Sequence, residues 1–145
     1  MRNFLAFFVL ILGFNVLVAQ EDLLFGNWES HLPYQRGLTI TQSPNKIYYA
    51  AGGGIMSVDK EDQSLEFISK VEGLSSLGIK LLKYDVFSNS LFIIYEDSNI
   101  DLLTEDGIIN IADIKNNTGI TGDKRINDVH FAEGKAYLST GFGVV

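Results

Sequence analysis

Two histidines, His31 and His130, are the whole stock of imidazole in this 145-residue chain, and it has no cysteine. A catalytic triad or a histidine-rich metal centre has little to build from. The lack of cysteine excludes disulfides, thiolate nucleophiles, Cys-ligated zinc and a lipid anchor on a Cys. No serine is flanked as in a nucleophile elbow. His130 sits between Val129 and Phe131 and reads as a structural or rim residue, and packing is the default for His31. The carboxylates are equally unpromising. Asp59-Lys60-Glu61-Asp62 is acidic enough for calcium. It lacks the spacing, central glycine and distal glutamate of a calcium loop, so it reads as a solvated hairpin. Glu96-Asp97 and Asp101 bracket another hairpin and read the same way. No carboxylate pair or His/Tyr/Arg set stands out for polysaccharide cleavage, so no enzyme and no cofactor are expected.

Gly52-Gly53-Gly54 has the composition of a phosphate cradle. Such a cradle needs a following helix N-terminus and usually a lysine, whereas a strand-like run comes next here. A turn that permits positive φ fits better, with Gly141 and Gly143 in the equivalent place later on. Asn116-Asn117-Thr118 matches the N-glycosylation acceptor triplet and reads as loop composition. Four cations remain. Lys80 and Lys83 lie along one strand-like run, and Lys124-Arg125 begins another. They could hold an anionic glycan if those runs line a channel. Solvated charge is the plainer reading, because the chain carries a formal charge of −7. That acidic balance also argues against a nucleic-acid partner, which needs a basic face.

The elements that would position these residues begin after an export signal. Residues 1–19 hold 15 apolar residues and a single charge, Arg2, whereas only 52 of the remaining 126 residues are apolar. A positive start, an apolar run from Phe4 and a small residue before Gln20-Glu21-Asp22 predict a signal peptide cleaved between Ala19 and Gln20. The apolar run is short of the roughly 20 residues that span a bilayer, and no other long apolar run occurs later, so no transmembrane segment is expected after cleavage. Residues 20–36 form an N-terminal segment in which Trp28 and Tyr34 are expected to cap the β-structure beyond residue 36 or pack against its edge.

From residue 37 the chain is a series of runs of about four to six residues with turn chemistry between them, the pattern of an antiparallel all-β fold. No further segment shows sustained helical periodicity. The runs recur. Asn45-Lys46-Ile47-Tyr48-Tyr49-Ala50-Ala51 matches Asn89-Ser90-Leu91-Phe92-Ile93-Ile94-Tyr95, and both match Gly134-Lys135-Ala136-Tyr137-Leu138-Ser139-Thr140. The leading residues are 44 and 45 positions apart. Four short strands in such a period predict propeller blades. The expectation is a partial β-propeller over 37–145, with two full four-stranded blades (37–70 and 78–114) and part of a third (126–145). Strands are predicted near 38–42, 47–51, 54–59, 65–69, 79–84, 91–95, 99–103 and 108–113, with connections at 71–77 and 115–125. Tyr48, Phe92 and Tyr137 recur at one position and are expected to pack between blades. Two and a half blades cannot close, so the chain reads as a fragment of a longer product.

Gly73-Leu74-Ser75-Ser76, Ile79-Lys80-Leu81-Leu82-Lys83-Tyr84-Asp85 and Asn89 to Tyr95 together resemble the two-component-regulator propeller repeat. A more specific resemblance runs over about 23–145. It is carried by Trp28-Glu29-Ser30-His31-Leu32-Pro33-Tyr34, by Tyr95-Glu96 with Ser98-Asn99-Ile100-Asp101-Leu102-Leu103, by Ile109 to Lys115, and by Gly122 to Asn127 with Ala136 to Gly143. This order resembles the N-terminal propeller of PorZ-like accessory proteins of the type IX secretion system of Bacteroidetes-type bacteria. The resemblance implies an exported, non-catalytic protein of the periplasm, outer membrane or cell surface. It would act with a PorU-like sortase and the attachment-complex proteins PorV and PorQ, and would bind or deliver an anionic lipopolysaccharide. No catalytic residue carries over. PorZ-like proteins have two propellers and a C-terminal β-domain, far more than this length. The alternative that shares the repeat is the ligand-sensing periplasmic propeller of a hybrid two-component regulator.

Overall fold

A computed structural model describes residues 36–145. The signal peptide with its Ala19–Gln20 cleavage point, His31, and the Trp28–Tyr34 segment lie outside the described residues.

The described chain is built almost wholly of antiparallel strands. The first sheet holds β1 (Thr39–Gln42), β2 (Lys46–Ala51), β3 (Gly54–Asp59) and β4 (Leu65–Ser69) in that spatial order. The second holds β5 (Ile79–Asp85), β6 (Ser90–Tyr95), β7 (Ile100–Thr104) and β8 (Gly107–Ile111), again in sequence order. The third holds β9 (Ile126–Ala132), β10 (Lys135–Thr140) and β11 (Gly143–Val144). Two four-stranded meanders and a third begun on the same plan are the blades of a partial β-propeller, the all-β fold that the repeat predicted.

Each meander is set by local chemistry. Period-two side chains give every strand two faces, and turn residues bend the chain between strands. In the β5–β6 turn the Asp85 carboxylate accepts hydrogen bonds from the Phe87 and Ser88 amides at 3.0 and 3.3 Å. Asn89 then takes a left-handed φ of 49°, a conformation that asparagine tolerates better than most residues.

The middle blade shows how the apolar runs are used. Leu91, Ile93 and Tyr95 of β6 face the first blade, where they pack with Ala50, Ile55, Leu74, Ile79 and Leu82. Ile94 faces the third blade and packs with Ile100, Ile126 and Val129, and Phe92 borders the same cluster. One strand therefore serves two cores, which is why β6 reads as an unbroken apolar run rather than as an alternation. Two aromatic pairs bridge the blades. Tyr48 of β2 stacks on Tyr84 of β5 with centroids 6.3 Å apart, and Phe92 meets Phe131 of β9 edge-on at 4.9 Å. The inter-blade role expected for Tyr48 and Phe92 is thus present. Tyr137 holds the same position on β10, with its ring exposed on the face away from the middle blade.

Three local expectations need correction. The strand predicted over 108–113 stops at Ile111, and Asp113–Asn116 forms a short helix, α1, in a stretch expected to have none. Its Asp113 stands in the first turn and Lys115 in the last, which suits the helix dipole, and Ile114 packs against the second core. One turn is too short to leave a periodic signature. The Gly52–Gly53 turn lies where expected, but none of Gly52, Gly53 and Gly54 takes positive φ, and Gly143 does, at 135°. Asp101 is not part of a solvated hairpin. Strand β7 already begins at Ile100, and its alternation turns Asp101 inward with no solvent exposure.

Candidate functional site

The innermost strands of the three blades, β1, β5 and β9, run beside one another. The Leu82 amide on β5 donates to Thr39 Oγ1 on β1 at 3.4 Å. On the other side, β5 and β9 form a polar seam. The ladder register shifts between Ile79 and Leu81, so Lys80 has no partner in β6. In β9 the pairing passes from Asp128 to Ile126 and likewise skips Asn127. Such irregularities re-aim side chains. These two meet, with Lys80 Nζ 3.4 Å from Asn127 Oδ1. Further along the seam, Lys83 Nζ lies 3.2 Å from Asp128 Oδ1.

Of the four cations singled out in the sequence, Lys80 and Lys83 therefore share the seam. Lys124 and Arg125 immediately precede β9 rather than beginning it. Lys124 turns toward α1 and donates to the Lys115 carbonyl at 3.1 Å. Arg125 pairs with Asp123 through Nη2 at 2.7 Å and Nε at 2.8 Å. The backbone at these two residues is fixed from both sides. Ser98 Oγ donates to the Lys124 carbonyl at 3.0 Å, and the Gly141 amide donates to the Arg125 carbonyl at 3.0 Å.

Each ion pair leaves its mark on the acid. The Arg125 hydrogen bond holds Asp123 below the usual carboxylate range. The Val129 backbone amide and then Lys83 do the same for Asp128. Lys83 and Arg125 are thus already balanced by carboxylates, and an anionic ligand at the seam would have to displace or share those partners. His130 is exposed on β9. Among the described residues no group of three or more His, Asp or Glu side chains could hold a metal ion.

A cavity of about 800 Å³ opens elsewhere, in the outer wedge between blades one and two. The Tyr48 and Tyr84 rings form part of its wall beside the Lys46–Glu66 pair, with Glu72 and Glu105 also lining it. One cation against three carboxylates makes this wedge unsuited to an anion.

The polar cluster that sequence reasoning missed centres on Asp101. Its Oδ2 accepts from the Tyr95 hydroxyl at 2.6 Å and from the Ser75 amide at 2.8 Å, and its Oδ1 from Asn110 Nδ2 at 2.8 Å. Asn110 also reaches Asn99 Oδ1 at 2.9 Å, and Asn99 Nδ2 donates to Ser76 Oγ at 3.0 Å. Ser76 and Lys115 both reach Asp97, at 3.1 and 2.7 Å. Burial alone would raise the Asp101 pKa, but the hydrogen bonds from Ser75, Tyr95 and Asn110 outweigh it and hold the acid low. Burial and the Asp101 carboxylate together push the Tyr95 phenol well above its ordinary value. Asp101, Asn99 and Ser76 are buried, while the Asp97–Lys115 end of the cluster is partly exposed. The cluster ties the 71–77 connection to β6, β7, β8 and α1, which is a structural task.

The model of the type IX secretion PorZ N-terminal β-propeller domain matches residues 47–145. The chain belongs to the PorZ N-terminal β-propeller family. This family placement agrees with the solved structure of PorZ from Porphyromonas gingivalis, to which the chain is similar with a TM-score of 0.67 at 31% identity over 74% of its length. The PorZ-family chain spans 15% of that longer protein, which is described as an essential bacterial surface component of the type IX secretion system of a human oral-microbiome bacterium. No curated protein matches the chain. Among the described residues of this PorZ-family propeller no helix is long and apolar enough to cross a membrane.

Proposed function

We propose that this chain serves as a non-catalytic binding and scaffold element of the type IX secretion system, exported and held at the outer membrane or cell surface. In this reading it acts with a PorU-like sortase and with PorV and PorQ, and it binds or delivers an anionic lipopolysaccharide. The family match over residues 47–145 carries the reading. It is supported by the described role of PorZ from P. gingivalis as a surface component of that system.

The ligand is argued from the β5–β9 seam. Lys80 and Lys83 present two ammonium groups along one inner strand, against one carboxylate among the described residues, Asp128, at hydrogen-bond range. A sugar phosphate or carboxylate would take over from Asn127 and share Lys83 with Asp128. Arg125 is available on the same terms once released from Asp123. Lys124 would assist only by leaving the Lys115 carbonyl.

Deleting the gene in its native host tests the role. The expected outcome is secreted cargo that keeps its sorting signal and lacks attached lipopolysaccharide, and normal cargo processing contradicts the proposal. Titration with purified anionic lipopolysaccharide tests the ligand. The double substitution Lys80→Glu and Lys83→Glu is expected to weaken binding at least tenfold, with Lys60→Glu on the β3–β4 hairpin as an unaffected control. Equal binding by both variants removes the seam from the reading.

A further inference from the structure

The wedge between blades one and two is walled on both sides by described residues, and it departs from the repeat that built it. Ladder register sets the equivalences. Tyr48 opposes Ser57, which opposes Glu66 on the outer strand of blade one. In blade two Phe92 opposes Leu102, which opposes Ile109. Tyr48 and Phe92 are one repeat position, so Ser57 matches Leu102 and Glu66 matches Ile109. Across the wedge Tyr84 opposes Leu91 while Phe131 opposes Ala136, and these are again one position. Phe, Leu, Ile and Phe at the second contact are thus Tyr, Ser, Glu and Tyr at the first.

Hydrocarbon packs well at these places, since Phe92 and Phe131 meet edge-on and Leu102 borders the same core. At the first contact that packing gives way to the cavity of about 800 Å³. Its volume falls within the roughly 300–1,000 Å³ of ligand pockets. The buried Ser57 hydroxyl donates to Glu66 Oε2 at 3.3 Å, and Lys46 pairs with the same oxygen, so both hold this carboxylate in the cavity wall. Glu72, just after β4, and Glu105, in the β7–β8 turn, line the cavity from the two blades. Neither has a cation at ion-pair range among the described residues. Glu72 takes the Ser69 amide and hydroxyl on Oε2 alone. Glu105 lies near enough to the Tyr84 ring to add to the upward push that burial and Tyr48 give its phenol.

We propose that this wedge binds an arginine side chain carried by a basic segment of a protein partner, with the guanidinium against the Tyr48–Tyr84 pair and its donors on Glu72 and Glu105. The charge calls for a cation, because Lys46 is matched by Glu66 and the other two carboxylates are left over. The rings favour a guanidinium over an ammonium. It is planar and weakly hydrated, so it stacks on an aromatic face while its forked donors reach carboxylates. The site lies on the outer side of the blades, apart from the inner β5–β9 seam. It does not depend on the lipopolysaccharide reading, and cation and anion are held at separate places.

Titration of the full chain with acetylated tetra-arginine amide, followed by calorimetry and by amide chemical shifts, tests this. The expected result is saturable binding of one peptide per chain, with shifts gathered at Tyr48, Glu72, Tyr84 and Glu105. Binding should be weaker for tetra-lysine and absent for tetra-glutamate. Glu72→Gln with Glu105→Gln should weaken it by roughly tenfold or more. Glu61→Gln with Asp62→Asn removes the same charge from the β3–β4 hairpin, outside the cavity, and should leave binding unchanged. All four positions are exposed, and circular dichroism checks that the variants fold. No binding, or shifts that lie outside the wedge, overturns the proposal. Equal loss in the two double variants also overturns it, by assigning the peptide to the acidic surface at large. Equal affinity for tetra-lysine removes the guanidinium from the ring pair.

Discussion

Asp101 is a carboxylate without solvent exposure, and it stays charged because three donors converge on it. Removing such a group leaves its donors buried and unpaired, which costs more than the bonds themselves contribute. Asp101→Ala is expected to cost about 3 kcal/mol and Tyr95→Phe about 1 kcal/mol, read from urea unfolding midpoints. Asp101→Asn keeps the shape but cannot accept the same bonds at both oxygens. Because the Asp101 pKa is lower folded than unfolded, its contribution is present at neutral pH and lost as pH falls through the folded value. The Asn variant should therefore lose less stability than the parent as pH falls from about 5 to about 3. The aspartate itself was legible, but its surroundings were not. Ser75 and Asn110 lie 26 and 9 positions away, and only folding brings them to one carboxylate.

The recurring aromatic position makes a sharper comparison between strands. Phe92 and Tyr137 occupy the same place in β6 and β10, yet one is packed against Phe131 and the other faces outward. Phe92→Ala is expected to cost about 3 to 4 kcal/mol, as for a large core side chain. Tyr137→Ala should cost under about 1 kcal/mol in dilute solution, since it empties no cavity. Thermal unfolding of the two variants decides, and similar losses would contradict the open face of the third blade. The repeat made the strands, their order and the two aromatic contacts legible, because period-two patterning and turn residues are local signals. The same repeat puts Tyr137 at the equivalent position of β10, and periodicity records that position and not the neighbour that fills it. Helix α1 and the unpaired Lys80 and Asn127 were hidden for a related reason. A single turn and a one-residue register shift arise from how strands are held by the rest of the sheet.

Among the described residues, several carboxylates are held by partners. Asp97, with Lys115 and Ser76, sits below the usual carboxylate range although burial opposes it. Glu66 is lowered by Lys46, Asp123 by Arg125, and Asp128 by the Val129 amide and Lys83. Every one of these acids binds its proton more weakly folded than unfolded. Stability is therefore full above the unfolded carboxylate values of about 4 and falls as pH drops through the lower folded ones. The thermal midpoint should be nearly flat from about pH 8 to about pH 5 and decline steeply between about pH 4 and about pH 2.5. A flat profile through about pH 3 would mean that these pairs contribute nothing. The exposed pairs each contribute little, so the slope reflects their sum together with buried Asp101.

Fold class and most strand positions were written into the sequence, because hydrophobic alternation and turn chemistry act over a few residues and the 44–45-residue period repeats them. The chemistry of the cations was not. Lys80, Lys83, Lys124 and Arg125 look alike as letters, yet the fold sets Lys80 against an amide and Lys83 against Asp128. It ties Arg125 to Asp123 and turns Lys124 to a backbone carbonyl. Those assignments depend on which strands lie side by side and on two register shifts, and such distances between remote residues exist only once the sheets have packed.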